Sequence, residues 1–131
     1  MVDFKNSRTK ENLMRAFAGE SQARNRYTFA ADAAKKEGYQ ILHDLFIYTA
    51  NQEKAHAWQF MKKLKEFSGE EIEITASYPA EVESSTLKLL KLAEEHEAAE
   101  HDEIYKSFAE TAKEEGFMDI YTLFNNIASV E

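Results

Sequence analysis

The residues with the clearest chemical meaning are glutamates that fall inside the apolar stripes of predicted helices. Residues seven positions apart lie on nearly the same face of a helix, so a glutamate seven positions from an apolar residue shares its face. The four stripes are Leu13, Glu20 and Tyr27; Phe46, Glu53 and Phe60; Leu90, Glu97 and Ile104; and Phe124, Ile127 and Glu131. The sequence therefore predicts that each of four helices points one carboxylate into the core.

Four converging carboxylates require cations, because burying even one unpaired carboxylate is costly. A Glu from each of two helices and a Glu-x-x-His motif from each of two others is a known arrangement for a di-iron or di-manganese site in a helical bundle. The segment Glu53-Lys-Ala-His56 is such a motif, and positions three apart share a helix face. The pattern predicts a buried two-metal site. A solvated acidic bundle without metal is the alternative that it leaves open.

The elements that must position these carboxylates are four helices. The chain has four Gly and one Pro, and its long stretches without helix breakers carry apolar residues at helical spacing. We predict helices over about 9–37, 40–66, 84–114 and from 118 onward, with Gly38 and Gly116 ending the first and third. Residues 68–85 form the one long connection. The sequence thus predicts an all-α protein with one domain over 1–131. Its architecture is an antiparallel four-helix bundle of two hairpins joined by a crossover, as in ferritin-like proteins.

An internal repeat supports this arrangement. Residues 27–53 align without gaps on residues 105–131, 78 positions later. The identical pairs are Tyr27/Tyr105, Ala31/Ala109, Ala34/Ala112, Lys35/Lys113, Glu37/Glu115, Gly38/Gly116, Leu45/Leu123, Phe46/Phe124, Ala50/Ala128 and Glu53/Glu131. Shared helical composition would also produce some matches, but the conserved spacing of Tyr, Gly and Glu favours duplication.

The third helix carries one residue more than the first. Glu20 and Tyr27 are seven apart, whereas Glu97 and Tyr105 are eight apart. A one-residue insertion in a helix is often absorbed as a π-bulge, which is frequent at functional sites. Glu100 lies in this stretch, three residues after Glu97, so it is predicted as a further ligand. The alternative is an exposed charge.

Two tyrosines occupy equivalent positions of the repeat, close to the predicted metal layer. The phenols of Tyr27 and Tyr105 could donate to ligand carboxylates, or they could simply pack in the core. The remaining histidines, His43, His96 and His101, have no ligand spacing to a stripe glutamate and are predicted as surface or capping residues. Trp58 and the phenylalanines are predicted as core.

Composition excludes several classes of function. The formal charge of −8 and pI near 5.1 disfavour nucleic acid and anionic membrane partners. The chain has no apolar run of membrane-spanning length and no secretory signal at its start, which favours a cytoplasmic location. It has no cysteine, which excludes disulfides and thiolate metal sites.

Two segments resemble the rubrerythrin family. The run Ala16-Phe-Ala-Gly-Glu-Ser-Gln-Ala-Arg-Asn-Arg-Tyr27, followed by Gln52-Glu-Lys-Ala-His56, is similar to the first half of that family's di-iron domain. The second half agrees. It contains Glu97-x-x-Glu100, Ile104-Tyr105, Glu114-Glu-Gly-Phe117 and Ile127-Ala-Ser-Val-Glu131.

The resemblance implies a di-iron peroxidase that reduces hydrogen peroxide to water in oxidative-stress defence, usually as a homodimer or larger assembly. Manganese or zinc could replace the iron. The implied metal ligands are Glu20, Glu53, His56, Glu97, Glu100 and Glu131, with Glu53 and Glu131 as bridging candidates. The implied catalytic residues are Glu100, His56, Tyr27 and Tyr105. In the family, the residue matching Glu100 exchanges with the one matching His56 as a ligand when the iron changes oxidation state.

Two departures from the family pattern qualify this interpretation. The family's rubredoxin-like domain needs four cysteines and is absent, so electrons are expected from an external donor such as a rubredoxin. The sequence stops at Glu131, whereas a second Glu-x-x-His would place a histidine at position 134. We therefore expect a truncated fourth helix, or one supplied by another subunit through exchange. A ferritin-type ferroxidase for iron storage and a metal-free structural bundle are the alternative functions.

Overall fold

A computed structural model of the chain describes residues 2–130, except for the side chains of His101 and Asp102. This part of the chain contains helices and no strand. The helices are α1 (Arg8–Lys36), α2 (Gln40–Lys62), α3 (Thr86–Ala99), a π-helical segment (Glu100–Tyr105), α4 (Lys106–Glu115) and α5 (Met118–Val130). Short 3-10 turns lie at Phe4–Asn6 and Lys65–Phe67. The all-helical, ferritin-like bundle predicted from the sequence is confirmed.

The third helix is continuous from α3 through the π-helical segment into α4. Ala99, Glu100, Tyr105 and Lys106 all keep right-handed helical backbone angles, so the extra residue widens the helix without breaking it. The predicted π-bulge is therefore present, and Glu100 is its first residue. The second helix ends earlier than predicted, at Lys62, because the chain there tightens into the 3-10 turn that buries Phe67.

Two glycines turn the chain back on itself and make each hairpin antiparallel. Gly38 and Gly116 have φ angles of 84° and 93°, which glycine adopts without steric cost. The N–H of the next residue then bonds back across the helix end, from Tyr39 to Ala34 and from Phe117 to Ala112, at 2.8 Å in both. α1 consequently packs mainly on α2, and α4 on α5.

The two hairpins are tied together by a reciprocal pair of carboxylate contacts. Glu115, at the end of α4, accepts hydrogen bonds from the Thr9 N–H at 2.8 Å and the Thr9 hydroxyl at 2.5 Å, at the start of α1. Glu37, just after α1, accepts bonds from the Thr86 N–H and hydroxyl at the start of α3. A carboxylate at a helix N-terminus satisfies otherwise unpaired N–H groups. Glu37 and Glu115 are equivalent in the repeat, so these contacts support duplication.

Two apolar clusters occupy the core. One contains Phe60, Tyr105 and Phe124, whose rings lie 5.3–6.1 Å apart, and the other contains Tyr27 and Phe46. Glu20 and Glu53 lie between the parts of α1 and α2 that form these clusters. The carboxylate layer is thus flanked by apolar side chains on both sides.

Some predicted core positions are wrong. Trp58 is 59% exposed and Phe29 is 65% exposed, because both lie on outer helix faces of the bundle. Ile104 is 44% exposed, since the extra residue of the π-helical segment turns Tyr105 inward instead. None of the described helices is both long enough and apolar enough to cross a membrane.

Candidate metal centre

Three of the predicted ligands meet in the core. Glu20 projects from α1, and Glu53 and His56 project from the same face of α2. One potential ligand atom from each of the three lies within 4.8 Å of the other two. Glu20 is 0% and Glu53 is 2% exposed, while His56 is partly buried. A metal ion can therefore be reached by two carboxylates and an imidazole without a change in the backbone.

Two carboxylate oxygens in this cluster are unpaired in the described part of the protein. Glu20 Oε2 and Glu53 Oε2 are buried and accept no hydrogen bond there. A buried carboxylate oxygen without a partner costs more than a neutral group would, so natural cores avoid it unless a cation is bound. Oxygen and imidazole donors suit iron and manganese. These residues therefore fit a divalent metal.

The two equivalent tyrosines make reciprocal hydrogen bonds between the hairpins. Tyr27 on α1 donates to Glu97 Oε1 at 2.6 Å, and Tyr105 in the π-helical segment donates to Glu20 Oε1 at 2.8 Å. A phenol that donates to a ligand carboxylate fixes its orientation. Of the two alternatives that the sequence left open for these tyrosines, the structure has the hydrogen bonds to carboxylates.

Glu100 faces the same cluster from the π-helical segment. Its Oε1 lies 3.4 Å from the Tyr105 hydroxyl. Burial raises the pKa of Glu100 to about 8, and the negative charges of Glu20 and Glu97 add to this effect. Burial also raises the pKa of Tyr27, and the charge of Glu97 does so further. The site therefore has a strongly negative electrostatic potential, and a bound cation would favour the ionised form of Glu100.

A polar network beside the site includes residues that the sequence did not single out. His96 Nδ1 lies 2.8 Å from Glu81 Oε1, and Arg26 Nη1 lies 3.0 Å from His96 Nδ1. Arg26 also lowers the pKa of Glu100, against the larger effects of burial and the neighbouring carboxylates. The network joins the crossover to α1 and α3. Glu81 lies in a segment without helical periodicity, so no sequence pattern indicated this contact.

The structure brings most of the predicted site together. Glu20, Glu53, His56 and Tyr105 are in the central cluster, and Glu100 borders it. Glu97 lies on the α3 side of this cluster, where it accepts a hydrogen bond from Tyr27. Glu131 lies outside the described residues, and the individual ligand and catalytic roles stay predictions.

Comparison with known proteins decides the family. The family model described as Rubrerythrin matches residues 11–131. The chain belongs to the rubrerythrin family. It is 47% identical over 132 residues to the rubrerythrin of Clostridium perfringens, covering 100% of this chain and 68% of that protein. It is 50% identical over 127 residues to the rubrerythrin of Porphyromonas gingivalis, covering 97% and 62%.

The rubrerythrin of Nitratidesulfovibrio vulgaris is 43% identical over 131 residues, covering 100% of this chain and 67% of that protein. The chain thus spans about two thirds of the length of these relatives. Members of the family are generally non-haem di-iron oxidoreductases of oxidative-stress defence. The cluster of Glu20, Glu53 and His56 agrees with a family that generally binds two irons.

Proposed function

We propose that this rubrerythrin-family chain is a di-iron peroxidase that reduces hydrogen peroxide to two molecules of water. The reaction consumes two electrons and two protons for each peroxide. The observation that carries the proposal is the pair of buried, unpaired carboxylate oxygens on Glu20 and Glu53, beside His56. Bound iron would supply the electrons and act as a Lewis acid toward the peroxide oxygens.

The surrounding residues orient ligands and hold protons. Tyr105 fixes Glu20, and Tyr27 fixes Glu97, each through one hydrogen bond. Glu100 holds a proton near neutral pH when no metal is bound, and its Oε1 is 3.4 Å from the Tyr105 hydroxyl. With metal bound, Glu100 is favoured in its ionised form, and its carboxylate and the Tyr105 hydroxyl can relay a proton towards a peroxide oxygen as it leaves as water. The flanking apolar clusters cover the carboxylate layer on two sides.

Electrons are proposed to come from an external donor such as a rubredoxin, since residues 1–131 contain no cysteine that could hold a second iron centre. We also propose a homodimer or a larger homo-oligomer. In its favour, α2 exposes an apolar face at Ile41, Leu45 and Tyr48, which are 84%, 48% and 61% exposed. Light scattering on a column-purified sample measures the mass; a monomer at all concentrations would contradict this assembly.

The decisive experiment compares oxidants. Protein loaded anaerobically with ferrous iron is mixed with hydrogen peroxide or with oxygen, and oxidation is followed by absorbance in a stopped-flow instrument. We expect faster oxidation by peroxide, and loss of most of that preference in Glu100→Ala. Glu103→Ala is the matched control, because Glu103 is exposed on the same π-helical segment.

The outcomes separate peroxidase from storage. Equal rates with peroxide and oxygen in the unmodified protein would refute the peroxidase. Uptake of iron far beyond two ions per chain, in a large hollow assembly, would identify a ferritin-type ferroxidase instead. Purified protein that binds no metal and gains no thermal stability from it would indicate a structural bundle.

A further inference from the structure

A cavity of about 280 Å³ leads from the crossover to the inner side of the site. Glu100 and Tyr105 line its inner part, and Ala76, Ser77 and Tyr78 of the crossover line its outer part. These three crossover residues are exposed to solvent. The cavity therefore connects the surface with the two side chains to which we assign proton transfer.

The outer wall of the cavity is fastened to α1. We call residues 75–78 the crossover strap. Arg15 Nε donates to the Thr75 carbonyl oxygen at 3.0 Å, and the Tyr78 hydroxyl donates to the Arg15 carbonyl oxygen at 3.0 Å. Arg15 is itself held by Asn12 Oδ1 at 2.8 Å. Both ends of the strap are thus bound to one residue of α1, which holds the outer wall of the cavity against that helix.

A glycine forms part of the cavity wall. Gly19 lies in the middle of α1, where glycine is destabilising relative to alanine. A Cβ atom at this position would lie 3.5 Å from Glu100 Oε1 and 3.6 Å from Tyr78 Cε1, which are ordinary contact distances. Alanine would therefore fit, and folding does not require glycine here. What glycine provides is open space between the Tyr78 ring and the Glu100 carboxylate.

We propose that this cavity is the entrance by which the oxidant reaches Glu100, and that Gly19 and Tyr78 limit the size of the oxidant admitted. The inference rests on the proposed function. The inner wall offers a carboxyl group and a phenol that can bond to the two hydroxyls of hydrogen peroxide. Ala16 and Phe108, also in the wall, make the passage partly apolar. Hydrogen peroxide fits such a passage, and we expect the close approach of the Tyr78 ring and Glu100 to position 19 to disfavour branched alkyl hydroperoxides.

A second opening to the site is an alternative route for the oxidant. A groove of about 490 Å³ between α2 and α3 is lined by Glu53, Glu97, Ala98 and Val130, but not by Glu100. Oxidant entering there would reach the opposite side of the cluster. Ala98→Leu adds bulk to that groove alone and is therefore the matched control for Gly19→Ala.

The experiment measures two quantities. The first is the rate of oxidation of ferrous-loaded protein by hydrogen peroxide and by tert-butyl hydroperoxide. The second is the association rate of azide with ferric-loaded protein, followed by absorbance, which needs no turnover. We expect Gly19→Ala to lower the tert-butyl hydroperoxide rate, relative to hydrogen peroxide, by about tenfold, as one methyl group does in a tight pocket. Azide association should also slow.

Of the two remaining variants, one should have the opposite effect to Gly19→Ala and the other should have no effect. Tyr78→Ala should raise the relative rate with tert-butyl hydroperoxide and speed azide association, and Ala98→Leu should change neither. Thermal melting checks that each variant is folded. The proposal is overturned if Gly19→Ala and Tyr78→Ala leave both quantities unchanged, or if Ala98→Leu alone slows them. Azide rates that respond to Gly19 in a protein that reduces no peroxide would support the entrance while refuting the peroxidase.

Discussion

Replacing Glu53 by Gln should stabilise the metal-free protein and destabilise the metal-loaded one. Glu53 is 2% exposed, its Oε2 has no partner among the described residues, and it shares the cluster with the carboxylate of Glu20. An unsatisfied buried polar group costs about 1–3 kcal/mol, and more when it is charged. A glutamine of the same shape is neutral, and its amide can donate to the neighbouring carboxylate.

The magnitude follows from these costs. We expect Glu53→Gln to raise the free energy of unfolding of the metal-free protein by about 1–3 kcal/mol. For a chain of this size that is a rise in Tm of about 4–12 °C. Metal at about 1,000 times its dissociation constant stabilises the unmodified protein by about 4.1 kcal/mol, and the variant should lose most of this gain. The order of the two melting temperatures should therefore invert between the two conditions.

The assay is thermal unfolding followed by circular dichroism at 222 nm, in chelator and in anaerobic ferrous iron. Glu110→Gln is the control, because Glu110 is exposed on α4 and its replacement should change stability by less than about 0.5 kcal/mol. A lower Tm for metal-free Glu53→Gln would refute the reasoning. So would a metal-dependent rise in Tm equal to that of the unmodified protein.

Three further predictions concern the helix ends and the tyrosines. Burial raises the pKa of Glu115, but the hydrogen bonds from Thr9 and from the Arg8 N–H outweigh this effect and hold the pKa below its usual value. These bonds therefore stabilise the folded protein above the unfolded-state pKa of Glu115, and the stabilisation is lost as the pH falls below that value. Thr9→Val should lower the free energy of unfolding by about 1.5–3 kcal/mol at pH 7. In denaturation experiments, the free energy of unfolding of this variant should fall less between pH 7 and pH 3 than that of the unmodified protein. Tyr27→Phe removes the hydrogen bond from Tyr27 to Glu97 and should weaken metal binding about 10–100-fold in chelator competition. An unchanged affinity would mean that this hydrogen bond positions no ligand. Gly116→Ala forces a left-handed backbone on alanine and should cost about 1–2 kcal/mol by urea denaturation, and an unchanged midpoint would contradict the strain.

Much of the bundle could be predicted because the helical signals are local. Long stretches without Gly or Pro, and glycines at the turns, determine where α1, α2, the third helix and α5 begin and end to within a few residues. The inward position of Glu20 and Glu53 followed from seven-residue spacing to Leu13 and Phe60. The same seven-residue spacing gave a wrong position where the helix is not regular. It placed Ile104 in the core, because seven-residue spacing counts regular turns and takes no account of the extra residue that the same sequence predicted there.

Contacts between distant segments could not be predicted in this way. No local pattern indicates that Glu115 meets Thr9, that Glu81 reaches His96, or that the Tyr78 hydroxyl bonds to the carbonyl of residue 15. The exposure of Trp58 belongs to the same class. An aromatic residue is expected in a core, and only the arrangement of neighbouring helices shows that this one faces outward.

The sequence by itself determined the type of chemistry, because the absence of cysteine and the placement of glutamates and one histidine on inward faces leave oxygen and imidazole as ligands. Periodicity is enough for this, since it depends only on positions within one helix. The tertiary structure decided which groups meet: that two oxygens of Glu20 and Glu53 are buried and unpaired, that each tyrosine bonds to a carboxylate on the other hairpin, and that Glu100 borders a cavity at the crossover. Burial, pairing and access are properties of surfaces brought together from distant parts of the chain.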